Sequence, residues 1–251
     1  MAKRSGIGMK LYLQGMDMSG DVGSIGTMRS SVTPIDVTPI DAAAVERIHG
    51  LRDGEITFNC FFNNADDETH DALAALPTTD VLCMVLTSTT AGEPVFCLTA
   101  KQINYDWTRN ADGSMSGTVQ LLAASGIPLE YGLLLAAKTT HASATDETGI
   151  DFGAQTTAGA IGFLQHFSAD SGTVEYDLED SSDSTDGDDG NWANLGAFTD
   201  VETPYAPTAQ RIEISGTVER WTRASTNGTF SNAVFAMALR RLRATDYDAA
   251  A

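Results

Sequence analysis

Apolar and polar positions alternate with a period of two through much of this chain. Ile212, Ile214 and Val218 interleave with Arg211, Glu213, Thr217 and Glu219, which predicts a strand with one buried face. The Thr226-Asn227-Gly228-Thr229 stretch that follows predicts a hairpin turn, since Asn-Gly tolerates the positive φ of a type I′ turn. The return strand, Phe230 to Leu239, is apolar at every position from Val234 onward, which predicts burial on both faces and a central place in its sheet. The same reading predicts strands over Glu55–Phe62, Val81–Thr87, Val95–Trp107 and Met115–Ala123. Further strands are expected over Gly159–Phe167, Gly172–Glu179 and Trp192–Phe198. Turns are expected at Ala91-Gly92-Glu93-Pro94 and Asn110-Ala111-Asp112-Gly113.

Helical periodicity is scarce. The best helix spans 66–76, with Asp66 as its cap, an apolar face of Ala72, Leu73, Ala75 and Leu76, and Pro77 as its stop. A short helix from Asp41 to Ile48, capped by Asp41 and closed by Gly50, is also expected. The predicted class is therefore mainly β, with one flanking α-helix. Residues 1–50 read as an extended N-terminal arm, with a local echo of Thr33-Pro34-Ile35-Asp36 in Thr38-Pro39-Ile40-Asp41. Residues 51–145 read as a β domain carrying the helix. Residues 146–251 read as a second β domain. A transition from Gly126 to Gly149 carries an amphipathic piece at Leu129–Lys138 and a polar link at Thr139–Thr148. The Ser-Asp-Gly stretch from Asp180 to Asn191 predicts a mobile loop.

Charge narrows the function classes. The net charge is −19, from 34 acidic and 15 basic residues, and only four of the latter are Lys (Lys3, Lys10, Lys101, Lys138). Binding nucleic acid through its phosphates needs a basic surface, so that class is set aside. Acidic, Lys-poor surfaces suit concentrated salt, where the Debye length falls to about 3 Å at 1 M and self-repulsion costs little. A halophilic source is expected, with an acidic mesophilic protein as the alternative. No apolar run reaches the length of a membrane helix, and no apolar core follows Lys3 and Arg4, so neither a membrane span nor a signal peptide is expected. Cys60, Cys83 and Cys97 are odd in number and lack Cys-x-x-Cys spacing, and are expected as buried free thiols.

Candidate chemistry is thin. The acidic run Asp177, Glu179, Asp180, Asp183, Asp186, Asp188, Asp189 invites calcium, yet its spacing matches no EF-hand frame. His49, His70, His141 and His166 are scattered, none four residues from another ligand. No nucleotide-binding glycine loop or nucleophile elbow is present. Trp107, Trp192 and Trp221 are candidates for an aromatic sugar-binding platform, with Trp221 on the polar face of its strand beside Glu219 and Arg223. No catalytic, cofactor-binding or metal residue is assigned, and the expectation is a protein that is not an enzyme and uses no cofactor.

Three stretches, in order, resemble major tail tube proteins of long-tailed viruses. The first is Ile48-His49-Gly50-Leu51-Arg52-Asp53-Gly54-Glu55-Ile56-Thr57-Phe58-Asn59, leading to the helix at Thr69–Leu73 and the strands closed by Asp112-Gly113-Ser114. The second, Gly126-Ile127-Pro128-Leu129-Glu130-Tyr131-Gly132, looks like a linking motif of such proteins in actinobacterial and haloarchaeal viruses. The third joins Gly216–Arg223 with Thr229–Phe235 and is similar to their C-terminal portion. The resemblance covers residues 30 to 243. It implies a β-sandwich or barrel tail-tube domain with one flanking helix, plus a second C-terminal β-sandwich domain. It also implies self-assembly into stacked rings through which viral DNA is ejected without specific binding, repelled by a carboxylate-lined lumen. Expected partners are further copies of the chain, a tape measure protein, and tail terminator or baseplate proteins. The expected location is the virion tail, after assembly in the host cytoplasm. If only the first half builds the barrel, six chains close a ring and the second half decorates the outside; if both do, three chains suffice. The absence of a helix signal beyond residue 150 favours decoration. Two alternatives are a carbohydrate-binding β-sandwich module, for capsid decoration or receptor binding, and an acidic hydrolase with a perturbed carboxylate pair.

Overall fold

The computed structural model describes residues 5–202, 206–243 and 246. Strand makes up 57% of it and helix 4%, so the mainly β class holds. In chain order the first strands are β1 (Lys10–Leu13), β2 (Met16–Asp17), β3 (Val22–Asp36) and β4 (Arg47–Phe61). The helix α1 (Thr69–Ala74) follows. Next come β5 (Val81–Leu86), β6 (Pro94–Gln102), β7 (Asp106–Arg109), β8 (Met115–Ala123) and β9 (Glu130–His141). The remainder are β10 (Thr145–Asp146), β11 (Ile150–Asp151), β12 (Ala160–Ser168), β13 (Ser171–Ser181), β14 (Ala193–Ala197), β15 (Val201–Glu202), β16 (Thr208–Ile214), β17 (Trp221–Ser231) and β18 (Ala233–Arg241).

The chain forms two compact units that interleave along the sequence instead of dividing near 50 and 145. One comprises residues 1–20, 82–97 and 131–251; the other comprises 21–81 and 98–130. The expected arm is split between them, because β1 and β2 are strands of the first unit's sheet while β3 belongs to the second.

In the first unit, the strand order β16-β12-β18-β9-β6-β5-β1-β2 runs through one sheet, and β10-β17-β13-β14 forms another, with β11 on β17 and β15 on β13. A core of Val174, Tyr176 and Leu178 from β13 with Leu164, Phe235, Met237 and Leu239 from β12 and β18 lies between them. The larger sheet also buries its other face: Tyr12, Met84, Val95, Cys97, Leu134, Ile161 and Phe163 form a second cluster. A sheet buries its own face by curling, and this one is curled. β18 sits between β12 and β9, with Phe235 and Met237 facing one core and Ala236 and Ala238 the other. That accounts for its unbroken apolar run.

The predicted turn at Asn227-Gly228 does not form. β17 passes straight through it, with Asn227 opposite Glu175 and Gly228 opposite Val174. Eleven register pairs with β13 outweigh the local turn preference. The chain turns instead at Asn232, at φ 52°, and β18 enters the other sheet. Gly228 keeps its positive φ of 89° within the strand, where a Cβ would lie 2.5 Å from the Thr173 carbonyl oxygen.

In the second unit, β3, β4 and β8 run antiparallel, and the far side of β8 is shared by β7 and then β6. The predicted strand over Val95–Trp107 therefore breaks at residues 103–105. There the Asn104 side chain accepts from the Gln120 amide at 2.8 Å. Ile56, Phe58 and Cys60 of β4, with Val119 and Leu121 of β8, supply buried apolar side chains. Helix α1 is shorter than the predicted 66–76. Its N-cap is Glu68 without a side-chain cap bond, in place of Asp66. The Thr69 hydroxyl anchors it, donating to Asp21 at 3.0 Å and to the Phe61 carbonyl at 2.9 Å. The predicted helix over 41–48 is absent, because Arg47 and Ile48 open β4. The amphipathic piece at 129–138 is a strand, β9.

Candidate assembly surfaces

β3 and β4 form the long ribbon of the second unit. β4 also pairs with β8, but only from Glu55 to Phe61. Among the described residues no third strand joins the outer ribbon, Ser31–Asp36 against Arg47–Asp53. Five residue steps carry it outward by about 17 Å. Most of its side chains are exposed, and several of those are apolar: Ile35, Ile48 and Leu51 on the strands, Val37, Ile40 and Val45 in the connecting loop. The loop is built, not slack. The Val37 amide donates to the Glu46 carbonyl at 3.0 Å, and the Thr38 hydroxyl accepts from the Glu46 amide at 2.8 Å. The Ala42 amide donates to the Pro39 carbonyl at 3.0 Å, closing a turn with Ile40 and Asp41 at its corners. Ile40 is wholly exposed, at 106% of its reference area.

A second patch of this unit is aromatic. Trp107 meets Phe62 at 5.2 Å and Tyr105 at 5.0 Å, both edge to face. His70 of α1 lies 4.9 Å from Phe62 and shares a 2.9 Å hydrogen bond with the Tyr105 hydroxyl. Phe61 and Phe62 are exposed on its border. The three tryptophans grouped by the sequence reading do not share this patch. Trp192 lies under the Arg223 guanidinium at 4.4 Å, in the first unit, and Trp221 is buried. Trp221 is thus not the exposed ligand contact its polar neighbours suggested.

The first unit contains a cavity of about 670 Å³. Tyr131, Leu133, Phe152, Arg241 and Arg243 are among the residues that line it. Among the described residues no carboxylate lines it. Gly132 brings β9 against β18 so closely that a Cβ would lie 2.7 Å from the Leu239 carbonyl oxygen. That gives a packing reason for the last glycine of the 126–132 stretch. The Arg241 guanidinium sits 5.1 Å over the Phe152 ring and donates to the Val218 carbonyl at 2.8 Å. Burial pulls its pKa below the ordinary guanidinium value, against the opposing charges of Asp180, Glu219 and Asp151. The sequence signal for this site is Arg240-Arg241-Leu242-Arg243, three arginines in four residues of a strongly acidic chain.

The acidic stretch 180–191, expected as a mobile loop, is knitted by its own carboxylates. Asp189 accepts from the Thr185 amide and hydroxyl, both at 2.6 Å, and from the Ser184 hydroxyl at 2.9 Å. Asp183 accepts from the Asn191 amide at 2.8 Å and its side chain at 2.6 Å. These donors favour the ionised forms and lower both pKa values. Among the described residues no three His, Cys, Asp or Glu side chains converge as metal ligands. Cys60, Cys83 and Cys97 are free and buried, as expected. His166 is buried with its Nδ1 2.6 Å from the Tyr176 hydroxyl.

No family model matches the chain. No curated protein matches it. Among solved structures it is similar to a chain of the virion of a native gene transfer agent particle, at 14% identity over 51% of this chain and 99% of that one, with a TM-score of 0.42. It is also similar to the SPP1 Dit protein, described as a hub of the adsorption apparatus of phages infecting Gram-positive hosts (10% identity, 93% and 99% coverage, TM-score 0.31). A chain of the phage p2 baseplate in its activated conformation is a third (7% identity, 93% and 98% coverage, TM-score 0.34). With TM-scores below 0.5, these likenesses assign neither fold nor function.

Proposed function

We propose that this chain is a structural protein of a viral tail, which assembles with copies of itself into stacked rings that form the tube for DNA ejection. The observation that carries the reading is the outer β3–β4 ribbon. A two-stranded ribbon is marginally stable in water by itself, and open edges with apolar side chains invite pairing. Among the described residues no third strand joins 31–36 and 47–53, and Ile35, Ile48 and Leu51 are exposed there. A second copy of the chain would cover them. The resemblance of 48–59, 126–132 and 216–235 to tail tube proteins names the kind of assembly.

The charge supports the same reading. A chain with 34 acidic against 15 basic residues repels phosphates, so DNA passes a wall of such subunits without adhering. Ring size follows from how many sheets each chain lends to the barrel: six chains for one, three for two. Tape measure, terminator and baseplate proteins are the expected neighbours, and the virion tail is the expected location. The carbohydrate-module alternative loses one member of its platform, since Trp221 is buried.

Negative-stain electron microscopy of the purified protein in molar salt tests the proposal. Rings or open-ended tubes are expected, and rotational averaging then counts the chains. A protein that stays monomeric up to millimolar concentration across all salt conditions would overturn it.

A further inference from the structure

The chain has one Asn-Gly dipeptide, Asn227-Gly228, and the fold places it inside strand β17 instead of in a turn. In such a dipeptide the asparagine side chain is open to attack by the next backbone nitrogen, because glycine has no Cβ to crowd the approach. Pairing with β13 holds that reaction back. Asn227 stands opposite Glu175 and Gly228 opposite Val174, within eleven register pairs that run from Trp221 to Ser231 without a shift. A strand keeps ψ near about +135°, and a five-membered ring between the Gly228 nitrogen and Asn227 Cγ needs that bond turned far from it. The group that must leave, Asn227 Nδ2, donates to Asp177 Oδ2 at 2.9 Å. Asn227 and Gly228 are nevertheless exposed, so water reaches both.

We propose that Asn227 is a conditional deamidation site, silent while β17 is paired with β13 and reactive when the pair opens. In the open chain the Gly228 nitrogen gives up its proton and attacks Asn227 Cγ. The new C–N bond closes a succinimide as the Cγ–Nδ2 bond breaks, and Nδ2 leaves with a proton as ammonia. Water then opens the ring at one carbonyl to give aspartate, or at the other to give isoaspartate. Solvent water is the sole co-reactant, and nothing is oxidised or reduced. Neither product pairs as the parent did. Aspartate sets a carboxylate where an amide had donated to Asp177, with Glu175 across the strand pair. Isoaspartate adds a carbon to the main chain and displaces the register beyond it. The modification is a one-way record of opening in the first unit, and it does not depend on the assembly reading.

Peptide mapping by mass spectrometry tests the site. Wild-type protein is incubated at mildly alkaline pH, native in one arm and in denaturing urea in the other. The peptide that contains residue 227 is scored for the mass gain of deamidation, and for isoaspartate by methyltransferase labelling. The unfolded chain is expected to convert at least about tenfold faster than the native one, because conversion follows the fraction of time the pair is open. Gly172→Ala, whose Cβ would meet the Thr229 carbonyl oxygen across the same strand pair, is expected to convert faster than wild type under native conditions, with circular dichroism checking that it is folded. Should that variant not fold, a series of urea concentrations below the wild-type transition replaces it, and the rate is expected to rise along the series. Asn227→Gln is expected to abolish the signal, since its six-membered ring closes far more slowly. Equal rates in native and unfolded wild type, an unfolded chain that stays intact at 227, or a signal that persists in Asn227→Gln would each overturn the proposal. So would a folded Gly172→Ala variant, or a urea series in its place, that converts no faster than the native wild type.

Discussion

Acidification should weaken the fold through His166, and the size of the effect follows from where the residue sits. Its side chain is fully buried on β12, and its Nδ1 meets the Tyr176 hydroxyl at 2.6 Å across the sandwich core. Burial disfavours the imidazolium and lowers the folded-state pKa from 6.5 to about 4. The folded value lies below the unfolded one, so the unfolded chain takes up the proton first. The neutral histidine's contribution is complete above about pH 6.5 and is lost as pH falls toward 4. At pH 5 the unfolded histidine is almost all charged and the folded one almost all neutral, and the linkage integral gives a loss of about 2 kcal/mol relative to pH 8. Urea unfolding at constant ionic strength, run at pH 8 and pH 5 on the wild type and on His166→Gln, isolates this residue from the carboxylates. Glutamine keeps a polar group near Tyr176 but does not titrate. The variant should lose about 2 kcal/mol less than the wild type over that interval. Parallel losses in the two proteins would refute the reasoning.

Other consequences are as direct. Burial raises the Cys60 thiol to about 11 and Cys83 to about 12, so at pH 8 a thiol reagent such as DTNB should label fewer than one cysteine per native chain and all three in denaturant. Fast labelling of the native protein would contradict the packing. Gly172→Ala places a Cβ against the Thr229 carbonyl at φ 92°, and should cost more than about 1 kcal/mol in chemical unfolding; a neutral result would mean that β13 and β17 are not held in this register. Phe163→Ala, at 0% exposure in the curled sheet's inner cluster, should cost about 3–5 kcal/mol in the same assay. A loss below about 1 kcal/mol would place Phe163 outside the core.

Much of the strand content is legible locally. β8 matches its predicted span of Met115–Ala123, and β5, β12, β13 and β14 fall within about two residues of theirs at either end. The turns at Gly92 and Gly113 stand where the Gly-rich dipeptides put them, both glycines at positive φ. The buried thiols were also readable, since small apolar residues inside alternating strands point inward. The failures share one cause. Asn227-Gly228 carries the local chemistry of a turn, and Asp41–Ile48 that of a short helix, but each is overruled by a partner strand that no local window contains. β13 pairs along the whole of β17, and β3 pairs with β4 through residue 47.

The candidate surfaces divide the same way. The Thr-Pro-Ile-Asp echo marked residues 33–41 as extended, although it read as part of an arm and is in fact the end of β3 and its connecting loop. The cavity was not legible, because Tyr131, Phe152 and Arg241 stand far apart in sequence and meet only when β9 and β18 pair. What the sequence determined by itself is the mainly β class, most strand spans, the inward thiols and the acidic surface, all of which depend on residue type and short-range periodicity. Tertiary structure alone decided which strands pair, how the two units interleave and where the arginines gather, because sheet pairing joins residues whose separation along the chain leaves no local trace.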